Sequence, residues 1–154
     1  MSLVTDIIFV KALRSNTDLM ALLPSGDVHN TSIPLPDANI LNAPVPYIIV
    51  TFDGLQNDDT TKDDIYEGTT DKVMVSIEVA AAKRPQLGEL VTAIRRTIRE
   101  YFINVPDTDE DYPLVPTDYT FTADAVQYDS LKPCYWQVLH YQCDTNANNY
   151  EQDE

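Results

Sequence analysis

The sequence predicts an α+β domain: a largely antiparallel four- to five-stranded sheet with two main helices packed on one face. Three observations carry this. Residues 70–81, TDKVMVSIEVAA, alternate between apolar and polar positions, the period of a half-buried strand. Residues 85–102 repeat apolar side chains at helical spacing. The segments follow one another as α, β, β, α, β, β, with helices and strands in the proportion of a single mixed domain.

The first helical pattern covers residues 3–23. Ser2 or Thr5 caps its start, and Leu3, Ile7, Val10 and Leu13, or Ile8, fall on one face. The residues SNTD at 15–18 interrupt it, and Thr17 can cap a second short helix, DLMALL, closed by Pro24 and Gly26. Residues 25–46 read as a long loop. Its prolines forbid a regular central strand, although SIPLP can run extended along an edge. YIIVTFDG, 47–54, is a nearly continuous apolar strand, covered on both faces near its start. An acidic loop at 55–68 leads into the strand 70–81, where Val73, Val75, Ile77 and Val79 face one way.

In the helix 85–102, Pro85 suits the first turn. Leu87, Leu90, Val91, Ile94, Ile98, Tyr101 and Phe102 lie within about 60° of one direction and form a core-facing stripe. A proline-punctuated acidic loop follows at 103–118. Then YTFTADAVQY and CYWQVLHYQC, joined by DSLKP, read as a hairpin. Residues 1–143 make one domain, and 144–154 a polar acidic tail.

The chain has 154 residues, 44% of them apolar, enough to bury a core without a staple. No run of eighteen apolar residues marks a membrane span, and the N-terminal segment lacks a signal's basic start. Cys134 and Cys143 sit nine apart on one strand. Odd spacing points them to opposite faces, so they are read as free thiols of a reducing compartment. The net charge is −15. That repels phosphate and argues against specific nucleic-acid binding.

No motif carries catalytic chemistry, and no cofactor site is read. His29 lies in the proline-rich loop and His140 in the last strand, neither beside a nucleophile in a recognisable motif. An enzyme would need a deep pocket lined by His140, Asp124 and Cys143. Asp107, Asp109 and Asp111 match the first positions of a calcium loop. Tyr112 stands where glycine makes the turn and Asp118 where glutamate is usual, so a solvated acidic loop is the better reading and no metal is assigned.

Five of the ten basic residues fall in one stretch: Lys83, Arg84, Arg95, Arg96 and Arg99. Arg95, Arg99 and Arg96 flank the apolar stripe of the helix, on the side that also carries the small residues Gly88 and Thr92. Two readings stay open. The arginines snorkel and pair with acids of the same chain. Alternatively they face a neighbouring copy and meet its acidic loop, Asp58, Asp59, Asp63 and Asp64, while Gly88 and Thr92 let that neighbour approach. A basic and an acidic patch on different faces favour a head-to-tail contact, which closes into a ring if the rotation permits.

Several segments together form a familiar order. LVTDIIFVKALRSN is followed by DLMALLP, then APVPYIIVTFDG, then DKVMVSIEVAAAKRPQLGELVTAIRRTIRE and a final strand pair. This order resembles the tail-terminator (tail-completion, minor tail protein U-like) family of long-tailed bacteriophages and prophages. The acidic loops 55–68 and 103–118 are additions to that pattern. The resemblance implies a non-enzymatic structural protein of a virion tail, assembled in the bacterial host cytoplasm. Its partners would be itself, as a homo-oligomer such as a hexameric ring, the tail-tube protein and the head-connector protein. It would cap the tube and join it to the connector, without membrane or specific nucleic-acid binding. The alternatives are another head–tail joining or neck protein, or an acidic module of the immunity or inhibitor kind that blocks a basic partner.

Overall fold

The computed structural model describes residues 5–23, 28–31, 45–57, 70–104, 118–131 and 133–146. Three helices are α1 (Thr5–Arg14), α2 (Thr17–Ala21) and α3 (Arg84–Asn104). Six strands are β1 (His29–Asn30), β2 (Tyr47–Asn57), β3 (Thr70–Ala81), β4 (Asp118–Ala123), β5 (Gln127–Asp129) and β6 (Cys134–Asn146). They form one sheet in the order β1-β2-β3-β6-β4, with β5 also on β6. Every pairing is antiparallel except β1 with β2. The α+β class therefore holds, with one parallel edge added.

The alternation of β3 does what its sequence predicts. Val73, Val75, Ile77 and Val79 are buried, while Lys72 and Met74 are exposed. Across the ladder this buried row continues through Ile48 and Val50 of β2 and Leu139, Tyr141 and Cys143 of β6. Leu87, Leu90, Ile94 and Ile98 of α3 close over it, all without exposed surface. Each such side chain contributes roughly 1.5–3 kcal/mol by leaving water. Tyr141 is the aromatic centre of the core. Its ring meets Phe9 of α1 edge-on at 5.2 Å, and Tyr119 and Phe121 of β4 at 5.6 and 5.1 Å.

The buried side of α1 is Ile8, Phe9, Val10, Ala12 and Leu13; Ile7 turns outward, 38% exposed. Thr5 begins the helix. The α2 cap is Asn16, not Thr17. Asn16 Oδ1 accepts from the Leu19 amide at 3.0 Å, and its Nδ2 donates to Thr97 Oγ1 of α3 at 2.9 Å. Asparagine sits one residue earlier and serves both bonds at once. His29, expected in a loop, lies in β1. That short edge strand is tied down by Arg14, which donates to the Val28 carbonyl at 2.8 Å, and by Asn30, which donates to the buried Asp6 carboxylate at 2.9 Å. SIPLP, the edge segment read from sequence, lies outside the described residues.

Two strands carry one extra residue. β2 does not stop at Gly54 but runs to Asn57, and its register on β3 shifts between Phe52 and Gly54, leaving Asp53 as the inserted residue. Gly54 has φ +148°, a conformation that side chains resist, so glycine is required there. YTFTADAVQY is likewise split into β4 and β5. Three residues separate Ala123 from Gln127 while two separate their partners Leu139 and Trp136, so residues 124–126 bulge outward. Only one face of β2 is fully covered: Ile48 and Val50 are buried, whereas Tyr47 and Ile49 stay half-buried. β6 runs on through Asn146, and the rest of the acidic tail lies outside the described residues.

Asn16→Ala removes both the cap and the bond to α3. It is expected to destabilise the fold by about 2 kcal/mol, read as a lower urea midpoint at unchanged slope. A midpoint equal to that of the parent protein would contradict the assigned cap.

Candidate interaction surfaces

Burial of the α3 stripe turns its remaining faces outward. Gly88, Thr92, Arg95, Arg96 and Arg99 recur at spacings of three and four, so they form one flank along the helix. All three arginines are exposed. The guanidinium carbon of Arg95 lies 4.3 Å from the centre of the Phe121 ring, so this arginine folds onto the edge strand β4 as a cation–π contact. That places the flank above the β4 edge of the sheet. Arg96 and Arg99 have neither an ion pair nor a hydrogen-bond partner among the described residues. The acids expected to meet them, Asp58, Asp59, Asp63 and Asp64, lie outside those residues.

Gly88 adds an argument. A Cβ placed there would meet nothing nearer than the Arg84 guanidinium at 3.7 Å. Nothing among the described residues demands glycine at this point of a helix, where it costs about 1 kcal/mol relative to alanine. The small residue leaves that part of the flank open.

The second surface is the sheet face away from the helices. Sequence reasoning missed it, because a polar row on an amphipathic strand reads simply as solvated. Both bulges open onto this face. Ser76 Oγ donates to Asp53 Oδ1 at 3.2 Å, and His140 Nε2 lies 2.9 Å from Asp124 Oδ2. Gln137 Nε2 donates to the Asp124 carbonyl at 2.8 Å and pins the second bulge. Between them lies a shallow cleft of about 300 Å³, lined by Asp53, Met74, Thr120, Thr122, His140 and Gln142. Further along, the Tyr47 hydroxyl donates to Glu78 at 2.9 Å. Burial first, then the neighbouring Glu78 charge, pushes the Tyr47 hydroxyl well above its ordinary ionisation range, so it stays a donor. Two sequence signals marked the site: Asp53-Gly54 inside a strand, and the break in alternation at Ala123-Asp124-Ala125.

The enzymatic constellation does not assemble. His140 and Asp124 pair on the uncovered face, while Cys143 belongs to the buried row on the other side. Cys134 and Cys143 are both buried free thiols. Among the described residues no group of three His, Cys, Asp or Glu side chains could hold a metal. The aspartates 107, 109 and 111 lie outside them. No helix among the described residues is long and apolar enough to cross a membrane.

No family model and no curated protein matches the chain. A solved structure does. It is a chain from the virion of a native gene transfer agent particle, similar with a TM-score of 0.54 and 14% identity over 90% of this chain and 91% of that one. The likeness is one of fold. It spans nearly the whole length of both chains, so the shared arrangement is the entire domain.

If Arg95 is held by Phe121, the pair is coupled. A double-mutant cycle of Arg95→Ala and Phe121→Leu should show a coupling of about 0.5–1 kcal/mol in unfolding free energy. Additive effects would mean the arginine is loose.

Proposed function

We propose that this chain is a structural component of a phage-like virion, of the tail-terminator kind, and not an enzyme. It assembles as a ring on the end of a completed tail tube and offers the ring's far side to the head connector. The observation that carries this reading is the fold shared, end to end, with a chain of a gene transfer agent virion. Two properties of the chain support it. The flank Gly88–Thr92–Arg95–Arg96–Arg99 is built like an interface: small residues, then arginines of which two lack a partner among the described residues. The strong net charge of −15 lets DNA pass a ring lumen without adhering. The domain unit in this reading is residues 1–143 extended to Asn146 by the end of β6, with the rest of the acidic tail as an appendage.

The test is direct imaging. Purified tail tubes of the virion that carries the protein are incubated with it and examined by electron microscopy. Ring density at the tube end is the expected result. Density on the portal side would assign the protein to the neck instead. No association with either would overturn the virion role.

A further inference from the structure

Among the described residues, the exposed side of α3 and the open sheet face carry opposite charge. On the exposed side of α3 stand Arg84, Arg95, Arg96 and Arg99 against Glu89 and Glu100. On the uncovered sheet face stand Asp53, Glu78, Asp124 and Asp144 against Lys72. That face is also the only broad surface of the described sheet that no described helix covers, and it is not merely polar. Met74 is 37% exposed there, and further along the same face Trp136, Val138 and Ile49 are half-buried. The cleft between the bulges lies beside Met74, with the Asp53 carboxylate, Thr120, Thr122 and Gln142 as acceptors for a charged donor group.

We propose that this sheet face receives α3 of a second copy of the chain, with Arg96 and Arg99 entering at the Asp53 cleft. The inference rests on the self-assembly reading above and deepens it by naming the receiving surface. Charge complementarity selects the occupant. A chain of net charge −15 repels its own copies in most orientations. The helix layer laid on the sheet layer is the orientation in which the described charges attract. A guanidinium suits the cleft because its planar fork donates to a carboxylate and to neighbouring hydroxyl and amide oxygens together. Gly88 removes a side chain where the neighbouring sheet must come close. The contact uses two different surfaces, so each copy has one of each free to continue the series, as a ring requires.

Two variants and their mixture test this. Arg96→Glu with Arg99→Glu spoils the helix side and leaves the sheet face intact. Asp53→Lys with Thr122→Lys spoils the sheet face and leaves the helix intact. Circular dichroism and thermal melting check that both fold; Asp53→Asn, which removes the charge without added bulk, stands in if the lysine variant does not. Size-exclusion chromatography with light scattering is expected to show each variant alone as a monomer. An equimolar mixture should form one-to-one dimers that grow no further, because the intact helix of one variant fits the intact sheet of the other. If the sheet variant keeps the parent's oligomer while the arginine variant loses it, α3 binds elsewhere and the proposal falls, with self-assembly still standing. If both are monomers and the mixture gives no dimer, the proposal falls as well. A parent protein that is monomeric throughout would remove the self-assembly reading itself.

Discussion

The structure depends on one constraint: among the described residues, the helices cover only one of the sheet's two faces. Three helices supply a single apolar layer, and the odd row of β3, Val73 through Val79, fixes which side receives it. A slip of one residue would send that whole row to solvent, so the register of β2 and β6 on β3 follows from it. The α3 stripe then has one orientation available, and its arginine flank is carried to the β4 edge. Tyr141 locks the two layers at that edge, touching α1 on one side and β4 on the other. The uncovered face is the other consequence of the same constraint.

Long, strictly periodic segments were legible in the sequence because burial alone decides them. β3 has the bounds its alternation gives, and α3 exceeds the expected helix 85–102 by one residue at the start and two at the end. Features that depend on a second segment were not legible. Asn16 caps α2 because the same side chain also reaches Thr97, a contact 81 positions away in sequence. β1 exists because Arg14 and Asp6 of α1 hold it against β2, although its own two residues carry no strand pattern. The bulges at Asp53 and at 124–126 place an aspartate against a serine and another against a histidine. Neither pair has a fixed spacing that would announce it.

The candidate site shows the same division. The arginine flank could be read from helical periodicity, together with the small residues beside it. What the arginines would meet could not, since it depends on which acidic side chains the sheet gathers on its open face. A sequence count of charge gives −15 and hides the separation into layers. In the folded domain the basic residues of α3 and the acidic residues of the open sheet face stand on opposite sides of the core. Such separation leaves attraction available between copies.

Self-association of the unmodified protein is the central claim, and its native mass tests it most directly. Light scattering over a concentration series, at low and at moderate salt, should give a mass above the 17.4 kDa of one chain, falling as salt rises. A single-chain mass at every concentration and both salts would contradict the account.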